Sequence, residues 1–403
     1  MKKLFLGILL FLYSPLLSYA VVIPVSACSS TALSAAHTLA SNGDTLQFPS
    51  CNVANWTGTV TITKQVHIKG TGKDTTKIRK TTLPRFMIFD NVSNFSLCCM
   101  TLEGTDVDTE QANNDFGVEI KTGIDFSIFD MKFTHFFIAL TVAGNPQQQR
   151  GVIYNSEFIE NFREEVGGSA GYGVEVRGNS TYLTLALGTD QNLFVEDNLF
   201  QGNRHAIEST NGSRYVFRRN RIIDNRENAS AIDAHGDSSA YAHGSRQWEI
   251  YNNWVTNATT RFAGVGIRGG DGVIFNNTVD PDSANKEIAI WIEDIAGAPG
   301  AGGTCACTYP CFEQTTDAWV WNNTPNTVEH KNACDSTKLV EGRDYHLEEK
   351  PGYTLVTSSA AAFPPGKQMQ YPTNAPYPHR LRQDPPIQVP SPPAIFHVAP
   401  IIP

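Results

Sequence analysis

Long apolar runs are almost absent from this chain. The exception is the N-terminus, where Met1-Lys2-Lys3 precedes an apolar run from Leu4 to Leu17 that closes on Ser18-Tyr19-Ala20. The run is short and contains Pro15, so residues 1–20 are expected to be a signal peptide cleaved after Ala20, not a membrane anchor. The mature chain is then expected to be secreted or periplasmic, with no membrane partner after cleavage. Basic residues are also scarce. Lys and Arg number 31 against 40 Asp and Glu, and the formal charge of −9 argues against a nucleic-acid partner. Helical periodicity is missing outside one Ala-rich stretch, and neither a regular leucine pattern nor long hairpin-rich blades occur, which excludes leucine-rich repeats and propellers.

What the chain does have is a recurring phrase: an apolar pair, a bend built on asparagine, and an apolar residue again. It reads Val195-Glu196-Asp197-Asn198-Leu199-Phe200, Phe217-Arg218-Arg219-Asn220-Arg221-Ile222, Ile250-Tyr251-Asn252-Asn253-Trp254-Val255 and Ile274-Phe275-Asn276-Asn277-Thr278-Val279. Weaker copies are Ile128 to Phe133, Ile153 to Phe158 and Val320 to Pro325. Central copies lie roughly 22 to 33 residues apart, the period of a solenoid. Asparagine suits the bend because it tolerates left-handed backbone and bonds its own main chain. Stacked coils about 4.8 Å apart would align these residues into an internal ladder. The expected fold is all-β, a right-handed parallel β-helix with a short N-terminal capping helix and an irregular C-terminal tail. The boundaries expected are a cap over 21–43, the solenoid over 44–325 and a Pro-rich tail or cap over 326–403.

Eight cysteines agree with an oxidising compartment. Cys28 and Cys51 are expected to clip the first N-terminal unit. Cys305, Cys307, Cys311 and Cys334 are expected to form disulfides around a Gly-rich insertion rather than a zinc site. Cys98 and Cys99 are expected as unpaired thiols, because adjacent side chains on a strand point to opposite faces.

The segment Ala32-Leu33 through Gly43-Asp44-Thr45 to Val66-His67-Ile68-Lys69-Gly70-Thr71-Gly72 resembles the N-terminal cap and first coils of pectin-lyase-like β-helix proteins. The middle resembles a group of secreted β-helix repeat proteins. It does so through Phe194 to Asn198, Arg204-His205-Ala206-Ile207, Arg214 to Arg218, Trp248 to Asn253 and Gly264 to Gly270. The tail segments Gly342-Arg343-Asp344-Tyr345 and Pro351-Gly352-Tyr353-Thr354 follow the same pattern. The resemblance implies the fold and a polysaccharide partner; it does not choose an activity, since the superfamily holds lyases, hydrolases, epimerases and adhesins.

Aligning the coils places Val174, Ile207, Ile232, Ile267 and Ile290 inward. Period-two alternation then sets Glu175, Glu208, Asp233, Arg268 and Trp291 in one outward column, flanked by His235. Glu175, Arg177 and Trp291 are the expected substrate contacts, with Trp291 as a stacking platform. Tyr241 and His243, in the insertion Asp237 to Ser245, would add a wall. Glu208 and Asp233 can hold Ca²⁺ through oxygen ligands or serve as an acid and base pair. Arg268 can neutralise a uronate carboxylate, and His235 or His205 can carry a proton. Against this stands a plain solvated charge column, with His205 satisfied by main chain and Arg204 and Arg218 in solvated or ladder roles.

Polygalacturonase-like hydrolases carry an Asp-Asp pair, which is absent here; Asp233-Ala234-His235-Gly236 is only a faint echo of their Gly-His-Gly segment. Gly264 to Gly269 followed by Val273 to Asn277 looks like a later coil of alginate and chondroitin lyases of β-helix type. The coils that should supply their Lys and Arg instead read Glu208 to Asn211 and Asp233-Ala234-His235. Three activities therefore stay open. The leading expectation is β-elimination on a uronate-containing chain, using Arg268, or Ca²⁺ held by Glu208 and Asp233, with His235 as base. Another is hydrolysis through Glu208, Asp233 and Asp237. The third is glycan binding without catalysis.

Overall fold

A computed structural model describes residues 20–382 apart from 82–84, 106–114, 146, 148, 163–170, 224–225, 227–228, 237–242, 257–261, 281–285, 293–307, 312–313 and 332–334. Each central coil contributes three short strands. The first face holds Gln149–Tyr154, Leu193–Glu196, Arg214–Arg218, Gln247–Tyr251, Asp271–Phe275 and Ala318–Trp321. After the asparagine bend comes a second face of Glu157–Ile159, Leu199–Gln201, Arg221–Ile223, Trp254–Thr256 and Thr278–Val279. The third face is a separate 9-stranded sheet running from Val60–Ile62 to Lys286–Ile290, and the first two join in a 19-stranded sheet. Pairing between coils is parallel throughout, as in Leu193↔Tyr215 and Glu175↔Glu208. This is the parallel β-helix expected, wound right-handed as crossovers between parallel strands almost always are.

The bends explain the repeat. Asn155, Asp197, Arg219, Asn252, Asn276 and Asn322 all have φ between 48° and 57°. The residue after each bend turns inward and joins a ladder. Asn198 donates from main-chain N (3.0 Å) and Nδ2 (3.1 Å) to Oδ1 of Asn220. Asn220 repeats this on Asn253, Asn253 on Asn277, and Asn277 on Asn323. Asn326 closes the last rung, accepting from Asn323 at 3.1 and 3.0 Å. Every buried amide in the series is thereby satisfied in both donor and acceptor roles. Around it the core stacks like on like, with Phe133, Phe158 and Phe200 at ring spacings of 5.1 and 4.8 Å.

The helix Ser30–Leu39 seals the first coil, as expected, with Ser29 capping its N-terminus through the N–H of Ala32. Leu33 and Ala36 are buried beneath it, and Cys28–Cys51 clips it down. Cys98 and Cys99 are bonded to each other, correcting the expectation of free thiols. Alternation fails there because Cys99 sits at the bend position with φ 66°, which swings its side chain away from the opposite face. Cys311 is disulfide-bonded, while Cys305, Cys307 and Cys334 fall outside the described residues, as do 1–19 and the last part of the tail. No helix among the described residues is long and apolar enough to cross a membrane.

Parallel pairing continues past 325, with Ala318 opposite Tyr345. The tail then returns along the first face. Arg218, placed in a solvated or ladder role from sequence, is fully buried there and ties the tail down. It pairs with Glu196 at 2.6 Å and donates to the carbonyls of Ala375 and Pro376, each at 2.9 Å. Burial of the ion pair is tolerated because the guanidinium spends its remaining donors on carbonyls and on Tyr251 Oη.

A candidate active site on the third face

The outer side of the third face carries a row set by strand register: Glu119, Thr141, Glu175, Glu208, Asp233, Gly266 and Ala289. Glu175, Glu208 and Asp233 are thus neighbours on successive coils, as expected. Arg268 and Trp291 are not in that row. Ile267 pairs with Ala234, and Ile290 with Ile267, so the last two coils lie two residues further along than expected. Period-two alternation fixes the face but is blind to a shift of two.

Arg268 nevertheless reaches back to Asp233, donating from Nε to Oδ1 at 3.1 Å and from Nη2 to Oδ2. Trp291 lies beside it, 5.6 Å from ring centre to guanidinium, but only 5% exposed against Phe262, Ala263 and Ala289. It is a wall that seats Arg268 and not an open stacking platform. Gly266 makes this possible, since a Cβ there would stand 2.0 Å from Ser230 Oγ and 3.0 Å from the Trp291 ring.

The three acids are differently tuned. Glu175 is bound by Arg177 Nη2 at 2.7 and 2.6 Å and by Thr141 Oγ1 at 3.0 Å. Asp233 is 1% exposed; burial works against its charge, yet Arg268 together with His205 and His235 outweighs it and holds the carboxyl down to about 2. Glu208 is 4% exposed, and its Oε2 is buried with no hydrogen-bond partner among the described residues. Burial first, then the charges of Glu175 and Asp233, push its carboxyl well above the usual range. The surroundings disfavour the charge on Glu208 and favour it on Asp233.

His205 does not point into the core. Its Nδ1 donates to the Ser230 carbonyl, which fixes the tautomer, and its Nε2 lies 4.0 Å from Asp233 Oδ2 with no hydrogen-bond partner among the described residues. Burial presses its pKa to about 3, so the ring is neutral. Main-chain satisfaction was expected; the outward direction was not. Ala206 and Ile207 both join the core, which breaks the alternation between His205 and Ile207. The same break puts Tyr172 outward, its ring 5.3 Å from His205. Tyr172 and Thr141 are the residues sequence reasoning overlooked. The signal was a small residue before each aliphatic one: Ala139-Leu140, Gly173-Val174, Ala206-Ile207, Ala231-Ile232 and Gly264-Val265.

Around the buried acids stand half-buried groups: Tyr172, Arg177, Arg204, His235 and Arg268. Arg204 reaches over Tyr172, Nη1 to Oη 3.4 Å, and His235 turns Nδ1 to the Gly236 carbonyl at 2.8 Å. His243 is elsewhere, beyond the end of the strand His205–Thr210, where its carbonyl accepts from Asn211 N at 2.8 Å. Asp237 and Tyr241 lie outside the described residues.

The expected Ca²⁺ pair, Glu208 with Asp233, does not fit that ion. Ca²⁺ takes about six to eight oxygens. Both oxygens of Asp233 are held by Arg268, those of Glu175 by Arg177, and burial disfavours the charge on Glu208 that a cation would need. Among the described residues no group of three or more His, Cys, Asp or Glu is arranged to hold a metal.

No protein-family model matches the chain, and no curated protein matches it in sequence. Solved structures similar to it are β-helix proteins at low identity. A mannuronic acid specific polysaccharide family 6 lyase from human gut microbiota aligns at 15% identity and TM-score 0.47, covering 77% of each chain. A polygalacturonase from Erwinia carotovora aligns at 10% and 0.46, covering 82% of this chain and 95% of its own. An alginate lyase from Paenibacillus sp. aligns at 11% and 0.42, covering 66% and 98%.

Proposed function

We propose that this protein is an exported enzyme that cleaves an acidic polysaccharide on the third face, with Glu208 as proton donor and Asp233 as its ionised partner. The observation that carries the reading is the opposite tuning of these two carboxylates, which face each other on adjacent strands. Environments that push a carboxylate pair apart assign acid and base roles at neutral pH. Among the described residues two buried polar atoms have no partner, Glu208 Oε2 and His205 Nε2, and these are the contacts proposed for sugar hydroxyls. Arg204 on the rim would supply positive charge for a uronate carboxylate.

In hydrolysis Glu208 gives its proton to the glycosidic oxygen as the bond to the anomeric carbon breaks. Asp233 offsets the positive charge that develops at that carbon. Water adds its oxygen to that carbon and gives its proton to the Glu208 carboxylate, which restores the acid for the next turnover. Hydrolysis is preferred over elimination because Arg268, the group that elimination would need on the uronate carboxylate, is already held bidentately by Asp233. Elimination is favoured by one observation, the half-buried His235 one residue beyond Ala234, the register partner of Ile267 that precedes Arg268.

The test is incubation of purified mature protein with pectate, alginate, glycosaminoglycans and neutral glucans, read by reducing ends and by ultraviolet absorbance. New reducing ends without absorbance, lost in Glu208→Gln, are expected. Absorbing unsaturated products would move the assignment to elimination. Retention of glycan with no product from any substrate would overturn catalysis and leave a binding protein.

A further inference from the structure

A second feature lies past the end of the strand His205–Thr210, at the corner where the third face turns toward the first. A cleft of about 400 Å³ opens there, lined by Tyr182, His243, Arg246, Asp271, Gln314 and Thr316 among others. Its charges do not balance. Arg246 donates from Nε to the Leu183 carbonyl at 2.6 Å and from Nη1 to Asp271 Oδ2 at 3.2 Å. Arg214 is next to it across the strands, the register partner of Gln247, and burial and the nearby Arg246 charge both disfavour its own. Arg214 is 7% exposed, its Nε has no hydrogen-bond partner among the described residues, and its contact to the Thr184 carbonyl is long at 3.5 Å. Asp271 is the carboxylate serving Arg246, and its other oxygen is taken by the N–H groups of Thr316 and Asp317 at 2.9 Å each. Among the described residues no carboxylate pairs with Arg214, so two cations stand here against one carboxylate and leave a place for one more anion.

Tyr182 adds an apolar surface. It is 44% exposed, has the Arg246 guanidinium 4.6 Å from its ring centre, and has the His243 ring at 5.4 Å. We propose that this cleft binds an anionic sugar unit, its carboxylate or sulfate on Arg246 and His243 and its ring against Tyr182. An inorganic anion would use only the guanidinium; the exposed aromatic beside it selects a ligand with both a charge and a flat apolar side.

The cleft lies near the proposed active face. Asn211, whose N–H donates to the His243 carbonyl, is three residues past Glu208, about 10 Å along the strand at roughly 3.3 Å per residue. A glycan seated over Glu208 and running along the strand would enter the cleft. To that extent the inference rests on the reading of the third face, but the charge imbalance stands by itself.

The experiment is calorimetric titration of the full mature chain carrying Glu208→Gln, so that no ligand is consumed. The probes are an oligogalacturonate, a uronate-free sulfated carrageenan oligosaccharide and neutral maltohexaose. An anionic oligosaccharide is expected to bind at least tenfold more tightly than maltohexaose, and the tighter anion names the source of the charge. Arg246→Gln is expected to weaken it tenfold or more and Arg246→Lys less. Tyr182→Ala, at an exposed side chain that spares the fold, is expected to weaken it several-fold. Equal binding of maltohexaose, or undiminished binding by both Arg246→Gln and Tyr182→Ala, would overturn the proposal. If these losses appear while the wild type cleaves nothing, the cleft stands and the catalytic reading falls. If the wild type cleaves and the two variants leave KM and affinity unchanged, the cleft falls alone.

Discussion

Arg268 grips both oxygens of Asp233 although the two residues are not partners in register. Asp233 lies opposite Gly266, and Arg268 follows Ile267, the partner of Ala234. The arginine leans back along its strand beside Gly266, whose missing side chain lets Ser230 and the Trp291 ring pack close, and Trp291 flanks the guanidinium.

Breaking this pair should be costly. Arg268→Ala strands a buried carboxylate, for which about 3 to 5 kcal/mol of lost stability is expected. Adding Asp233→Asn should recover much of it, measured by urea unfolding of the four proteins of the cycle. The pH sign follows from the lowered pKa. Asp233 contributes stability above its unfolded value of 3.8, and that contribution is lost as pH falls through about 2. Arg268→Ala should forfeit it even at neutral pH.

Glu208 should behave in the opposite sense. Its folded pKa lies above the unfolded value of 4.5, so its contribution is complete below 4.5 and is lost as pH rises through the folded value. Glu249 beneath the tail, pushed by burial up to about 7, acts in the same direction. Melting temperature should therefore fall between pH 5 and pH 8, by less in Glu208→Gln and least in Glu208→Gln with Glu249→Gln. A fall unchanged in both variants would contradict the assignment. If Glu208 is the proton donor, the wild-type rate should decline as pH rises over the same range.

The ladder makes a graded prediction. Asn253→Ala leaves the Asn220 N–H and the Phe217 carbonyl without their partners in a dry interior. An unsatisfied buried group costs about 1 to 3 kcal/mol, so several kcal/mol are expected from chemical denaturation. Asn326→Ala, at the open end of the ladder, should cost less.

Arg218 should govern the tail. Arg218→Met removes the donors to Ala375 and Pro376 and leaves Glu196 buried with Arg382 and the His379 N–H. Trypsin should then cut at Arg380 and Arg382 much faster than in the wild type, followed by mass spectrometry, while the coils stay resistant. Equal cutting rates would show that other contacts hold the tail.

The solenoid was legible because one local event, the left-handed bend with an inward asparagine after it, repeats in the chain itself. The faces of Glu175, Glu208 and Asp233 were legible for the same reason. The position of Arg268 was not, because Ala263-Gly264-Val265-Gly266-Ile267 offers two inward aliphatics, and aligning on either gives the same alternation. His205 and Tyr172 were obscured by two successive inward residues, which a strict period of two cannot represent. The burial of Arg218 had no local signal at all: Glu196 lies one coil away, and the carbonyls that complete its shell come from residues 157 and 158 positions later. A buried arginine and a solvated one look alike until such distant partners are placed.

The tail crosses the coils in reverse order. Tyr377 bonds Asp197 at 2.7 Å, Pro376 and Ala375 bond Arg218, Gln370 accepts from Asn252 at 2.7 Å, Gln368 from Asn276 at 3.0 Å, and Lys367 reaches the Asn322 carbonyl. A bare stack of repeats holds only nearest neighbours together and can fray coil by coil from an open end. Here the last coil cannot peel without lifting a segment that is also fastened to coils far down the stack. The tail works as a tendon, converting a row of weakly coupled units into one that melts as a body. Severing it while every coil stays in place should broaden that single melting transition or split it in two.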